Sequence, residues 1–193
     1  MRVGVLALQG DVREHAAAIE RAGGKAEPIR SAEQLESVSA LVLPGGESTT
    51  MSLLMDRTGL RHSLERWTAD GKPTLGTCAG LVLLADRVLD GRADRPGIGG
   101  LDVTVRRNGH GRQLDSFEAE LDAPGVGGTM LAVFIRAPRI TQVGDGVEVL
   151  AALDHADGPE PVVVRSGRII GCASHPELAG DDRLHEMLMA SAS

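Results

Sequence analysis

An α/β fold, with a mostly parallel central sheet and helices on both faces, follows from three features of the sequence. Short apolar runs alternate with stretches of helical spacing through the first half of the 193 residues. The runs are apolar along most of their length, as in strands buried on both faces. The middle of the chain changes to polar–apolar alternation, which adds an antiparallel portion. The βαβα rhythm of the first half sets the main layer arrangement.

Residues 3–8 make the first strand. Residues 11–22 follow as a helix with Val12, Ala16, Ile19 and Ala22 near one face, and Gly23-Gly24 ends it. Residues 26–29 and 40–43 are the next strands, the second stopped by Pro44-Gly45-Gly46. Ser48 or Thr49 is expected to cap a helix carrying Met51, Leu54 and Met55. Lys72-Pro73 leads into a strand at 74–77, and 79–85 reads as helical. Residues 91–100 form a Gly/Pro-rich loop. Residues 101–106 and 113–121 alternate like antiparallel strands, with Asn108-Gly109 as a hairpin-turn signal between them. Strands at 131–135, 147–153, 161–164 and 168–172 follow, and a helix over 181–190 packs through Leu184, Met187 and Leu188. There is no internal repeat, and the length suits a single domain over 1–193.

Composition narrows the function. Hydrophobic residues make up 42% and charged residues 24%, as in a folded globular chain. The net charge of −7 argues against duplex nucleic acid or an anionic membrane as partner. The chain has no Tyr, one Trp (Trp67) and two Phe (Phe117 and Phe134). Stacking platforms for single strands need more rings than that. Cys78 and Cys172 are too few for a disulfide scaffold, so a reducing, cytoplasmic setting is the simpler reading. No secretory signal is visible, and no run approaches the roughly 18 apolar residues of a membrane span.

The strongest chemical signal is Gly76-Thr-Cys-Ala-Gly80, between a predicted strand and a predicted helix. This is the G-x-nucleophile-x-G turn with Cys at its centre. Small flanking residues allow the sharp bend, and the N–H groups of the following helix can hold an oxyanion. A buried thiol in a small-residue packing contact is the other reading of the same five residues. A thiol nucleophile needs a base, and His175 in His175-Pro-Glu177 lies just beyond a predicted strand. In an extended segment residues two apart share a side, so Glu177 would orient the His175 ring. A surface pair is the alternative, but α/β sites form at strand carboxyl ends. His15, His62, His155 and His185 show no comparable partner and read as surface or packing residues. No pair of His and Cys has zinc-ligand spacing, so no metal is expected. In Leu43-Pro-Gly-Gly-Glu-Ser-Thr-Thr50, Gly45 and Gly46 let backbone approach a ligand closely. An ordinary strand-to-helix turn explains the same residues. Arg107 and Arg136, taken alone, read as solvated surface charges.

Together these motifs resemble the family of glutaminase subunits of pyridoxal 5′-phosphate synthase, which are class I (triad) glutamine amidotransferases. The likeness runs nearly end to end. It includes Val3-Gly-Val-Leu-Ala-Leu-Gln-Gly10, Arg13-Glu-His15, Pro44-Gly-Gly-Glu-Ser-Thr-Thr50 and Gly76-Thr-Cys-Ala-Gly80. It continues through residues 103–107, Gly111-Arg-Gln-Leu-Asp-Ser-Phe117, Val133-Phe-Ile-Arg-Ala-Pro138 and His175-Pro-Glu177.

The resemblance implies a flavodoxin-like, three-layer amidotransferase fold and a set of roles. Cys78 would be the nucleophile, His175 the base and Glu177 its orienting acid. The main chain of Gly46 and Ala79 would form the oxyanion hole. Gly45, Gly46, Glu47, Arg107, Ile135 and Arg136 would bind glutamine. An Arg suits the substrate α-carboxylate, and a carboxylate or carbonyl its ammonium. No cofactor is implied. The implied partner is the synthase (lyase) subunit in a large hetero-oligomer, which receives the ammonia. A different synthase partner, or a non-catalytic glutamine-sensing or scaffolding role, is the alternative. Two positions depart from the family pattern: His110 and Ser174 stand where Phe is usual. They are expected to loosen packing around His175 without removing catalysis, with His110 a bystander.

Overall fold

The structure, a computed structural model, describes residues 1–91, 94, 96–107, 109, 116–155 and 158–192, with His155 described by its backbone only. The turn position Asn108, His110, residues 111–115 of the family likeness and the His155 side chain therefore lie outside the described residues.

The first half builds the parallel frame. β1 (Arg2–Leu6) leads to α1 (Val12–Arg21), β2 (Lys25–Ile29) and α2 (Ala32–Glu36). β3 (Ala40–Leu43) is followed by α3 (Ser48–Thr58) and α4 (Arg61–Ala69). β4 (Thr74–Thr77) runs into α5 (Ala79–Leu84). The second half adds β5 (Ala85–Val88), β6 (Leu101–Arg106), β7 (Phe117–Ala123), β8 (Gly128–Phe134) and β9 (Arg139–Val143). β10 (Glu148–His155), β11 (Gly158–Ser166), β12 (Ile169–Cys172), α6 (Pro176–Ala179) and α7 (Arg183–Ser191) complete it.

Nine strands form one sheet in the order β2-β1-β3-β4-β12-β11-β10-β7-β8. The pairings from β2 across to β12 are parallel. Those from β12 to β8 are antiparallel. β3, β4 and β12 are buried at every position, which is why they read as unbroken apolar or small-residue runs. Alternation along β4 places helices on both faces. Thr77 meets His15 of α1, while the neighbouring Gly76 faces Leu84 of α5. Among the described residues no helix is long and apolar enough to cross a membrane.

Two local expectations are corrected. Residues 101–106 and 117–123 do not pair as a hairpin: β6 lies in a second, three-stranded sheet between β5 and β9. β7 pairs with β8 instead, with Phe117 directly opposite Phe134 and their rings stacked 4.6 Å apart. That cross-strand aromatic contact decides the partner. The cap of α3 is Glu47, not Ser48 or Thr49: its carboxylate accepts from the Thr49 and Thr50 N–H groups. A carboxylate satisfies two of the free N–H groups and also suits the helix dipole. The few aromatic rings are spent on the interior. Phe134 is fully buried, and Trp67 is buried with its Nε1–H donated to Thr74 Oγ1.

Candidate active site

The site forms at the carboxyl ends of β1, β3, β4 and β12, where parallel α/β sheets place their ligands. Cys78 turns the chain from β4 into α5 with φ 47° and ψ −102°, left-handed territory that a non-glycine residue occupies at a cost of about 1–3 kcal/mol. The flanking glycines make the turn fit. A Cβ on Gly80 would stand 2.0 Å from the Leu43 carbonyl oxygen, and one on Gly76 2.7 Å from the Gly80 backbone. Only bare backbone lets α5 start this close to β3. The Cys78 N–H donates to the Cys172 carbonyl at 2.8 Å, tying the turn to the strand that delivers His175.

His175 follows β12, and its N–H donates to the Val133 carbonyl at 2.9 Å. Its ring Nδ1 lies 2.7 Å from Glu177 Oε1. The two are joined at the start of α6, where His175 is the N-cap and Glu177 sits in the first turn, rather than along an extended segment. Asp11 Oδ2 approaches the same Nδ1 at 3.4 Å, so Glu177 is the oxygen that orients the ring. Burial works against charge on His175, yet hydrogen bonds to Asp11, Cys78 and Glu177 outweigh it and push its pKa up to about 12. Asp11, His175 and Glu177 offer ligand atoms within 4.8 Å of one another. With Nδ1 engaged by Glu177, this set serves to hold a proton on the ring.

Packing around His175 is tight despite Ser174. Ser174 is fully buried, with its Oγ 3.3 Å from Cys172 Sγ. Gly45 lies against the ring itself: a Cβ there would stand 2.3 Å from His175 Cε1. Cys172 is a buried free thiol whose pKa burial pushes up to about 11, as expected for a packing residue.

Gly46, Glu47, Cys78, Ala79, Arg107, Ile135 and Arg136 line one pocket. Cys78 Sγ lies 4.0 Å from the Ile135 carbonyl, and Arg136 follows with φ 47°. Arg107 Nη2 donates to Glu47 Oε1 at 2.7 Å across the pocket. Burial raises the Glu47 pKa, but hydrogen bonds from Thr50 and Thr49 dominate and hold it at about 2. Gly45 lies beneath the His175 ring and is not among the residues lining this pocket.

Sequence reasoning missed four residues. Gln9 Oε1 accepts from the Glu47 N–H at 2.7 Å, and the Asp11 N–H donates to the Gly45 carbonyl at 3.1 Å. Together they clamp the Pro44–Glu47 segment to the β1–α1 turn. His15 and His185, expected at the surface or as simple packing, are fully buried and meet at 2.9 Å. The segment from Val3 to Gly10 and the Arg-Glu-His triplet belonged to the likeness, which was the available signal for the first and third of these.

A model of the SNO glutamine amidotransferase family matches residues 5–192. The chain belongs to this family. Among relatives of this amidotransferase, the pyridoxal 5′-phosphate synthase subunit PdxT of Corynebacterium jeikeium is 52% identical over 98% of this chain and 95% of that protein. The PdxT subunit of Geobacillus kaustophilus is 51% identical over 98% and 93%. A solved structure of a glutamine amidotransferase superposes with TM-score 0.89 at 44% identity, covering 98% of both chains. A structure of PurLQS from Thermotoga maritima, at 16% identity and TM-score 0.72, shares the fold. The amidotransferase fold and the enzyme class expected from the family likeness are thus both found.

Proposed function

We propose that this amidotransferase is the glutaminase subunit of a pyridoxal 5′-phosphate synthase, folded as one domain over its length. It hydrolyses L-glutamine to L-glutamate and passes the ammonia to the synthase subunit. The observation that carries the reading is the convergence of Cys78, His175 and Glu177 beside a pocket lined by Glu47, Arg107 and Arg136.

Cys78 sulfur attacks the side-chain amide carbon of glutamine. The developing oxyanion is held by the N–H groups of Gly46 and Ala79. His175 gives its proton to the departing ammonia, leaving a glutamyl thioester on Cys78. The neutral ring then takes a proton from water, whose hydroxide attacks the thioester. Glutamate leaves, and thiolate and imidazolium are restored. Glu177 keeps the ring oriented through both steps. In the pocket, an Arg takes the substrate α-carboxylate and Glu47 or a backbone carbonyl the α-ammonium.

The test is ammonia release from glutamine by the full chain, alone and with its cognate synthase subunit, in wild type and Cys78→Ala. Wild type is expected to be slow alone and faster in the complex, and Cys78→Ala inactive in both. Equal rates for the isolated chain and the complex contradict partner-dependent activity. An active Cys78→Ala contradicts the assignment of the nucleophile.

A further inference from the structure

We infer that His15, backed by His185, is a positioning residue that fixes the Glu177 carboxylate behind the catalytic histidine. The inference rests on the glutaminase reading above and extends it to two helices that carry no residue of the triad.

His15 on α1 is fully buried. Its Nδ1 lies 2.9 Å from His185 Nε2 on α7. Its Nε2 lies 3.0 Å from Thr77 Oγ1 and 3.6 Å from Glu177 Oε1. One imidazole therefore touches the residue just before the nucleophile and the acid of the triad. Glu177 Oε1 sits between two rings, with His175 on one side and His15 on the other. Glu177 Oε2 has no hydrogen-bond partner among the described residues, and neither has His185 Nδ1.

Both rings are neutral. Burial, then the neighbouring His185 and His175, lower the His15 pKa well below the ordinary 6.5, and burial lowers that of His185 to about 4. A neutral imidazole has one donor and one acceptor. Two proton arrangements satisfy the bond between the rings. In the first, His185 Nε2–H donates to His15 Nδ1 and His15 Nε2–H donates to Thr77 Oγ1, with Glu177 Oε1 3.6 Å from the same nitrogen as an electrostatic neighbour. The bare nitrogen left over is His185 Nδ1, an unpaired acceptor. In the second, His185 Nδ1 carries a buried proton with no acceptor, and a His15 lone pair faces a carboxylate. Buried N–H groups without acceptors are the rarer and costlier defect. The first arrangement holds. It runs a line of N–H dipoles from α7 through α1 to Thr77, with its positive end 3.6 Å from the oxygen that orients His175. Burying two imidazoles also carries a desolvation cost that an apolar pair would not.

The measurement is kcat and KM for glutamine on the full chain with its cognate synthase subunit. Wild type, Cys78→Ala and three His15 variants are compared, each checked by thermal melting. His15→Phe fills the space without a donor; it is expected to lower kcat about 10- to 100-fold with KM changed less than about twofold. His15→Gln places an amide N–H near the Nε2 position and is expected to recover kcat to within about threefold of wild type. His15→Asn reaches only the Nδ1 position and is expected to behave like Phe. Wild-type kcat in His15→Phe overturns the inference. So does an equal loss in Phe and Gln variants, which marks a structural role. Where His15→Phe does not fold, Gln against Asn decides, and equal kcat in these two overturns it. A wild type that releases no ammonia overturns the glutaminase reading itself.

Discussion

The proposed catalytic wall of the site and its proposed substrate wall are built differently. Cys78, His175 and Glu177 are 7%, 4% and 6% exposed and stand at the ends of parallel strands. Backbone contacts place them: Cys78 to Cys172, His175 to Val133, and Gly45 flush against the imidazole. The opposite wall is open. Ile135 is 39% exposed, and the Glu47 and Arg107 side chains are 43% and 23% exposed. There the geometry depends on one ion pair and a helix cap. A wall set by backbone is preorganised for chemistry. A wall set by side-chain charges can exchange its partners for those of a substrate.

The largest expected effect lies at the centre of the catalytic wall. Cys78→Ala should lower glutaminase kcat by about ten-thousandfold or more, with the fold retained, as read by ammonia release and circular dichroism. The same wall should also fail through its backbone. Gly45→Ala adds a methyl 2.3 Å from His175 Cε1, so the ring must move. A displacement of that kind is expected to lower kcat about 100-fold with KM little changed. A small effect would show that Gly45 does not set the ring position.

The substrate wall should respond in KM instead. Arg107→Ala removes the partner of Glu47 and the cation proposed for the substrate carboxylate. KM for glutamine is expected to rise about tenfold while kcat stays within about threefold. A fall in kcat with unchanged KM would erase the distinction between the walls.

A separate effect, on stability and not on turnover, is expected against pH. His15 and His185 hold folded pKa values below the ordinary 6.5, with His185 at about 4. As pH falls through that window the unfolded chain binds protons and the folded one does not. Stability is therefore lost as pH falls below 6.5, down to about 4 for His185, by at most about 1.4 kcal/mol per pH unit for each ring. Glu47, with its pKa held at about 2, adds its loss only from 4.5 downward. The raised His175 works above the window: its contribution is present below 6.5 and lost as pH rises toward about 12. Urea melts at several pH values should show a shallower slope in His185→Gln than in wild type. An unchanged slope would contradict a neutral histidine pair.

The two walls also differ in how far the sequence reveals them. The bend at Cys78 demands small neighbours, and His175 and Glu177 are two residues apart, so this wall is readable from local pattern. Arg107 and Arg136 look like any surface arginine until the family likeness assigns them. The parallel frame is legible because β3, β4 and β12 are buried on both faces. β5 and β9 are not, because Ala85-Asp-Arg-Val88 and Arg139-Ile-Thr-Gln-Val143 mix charge and apolar residues in short runs. The hairpin signal at Asn108-Gly109 misled because strand partners are chosen by tertiary contacts such as Phe117 on Phe134. His15 and His185 stand 170 residues apart, and only the packing of α1 on α7 makes them neighbours.

The central claim is that Cys78 is acylated by glutamine. The direct measurement is mass spectrometry of the complex with its synthase subunit, acid-quenched during turnover and digested. The account predicts one glutamyl group on the peptide bearing Cys78, none on the peptide bearing Cys172, and none in Cys78→Ala. Ammonia release at the wild-type rate from Cys78→Ala, or an adduct carried by Cys172 alone, would contradict it.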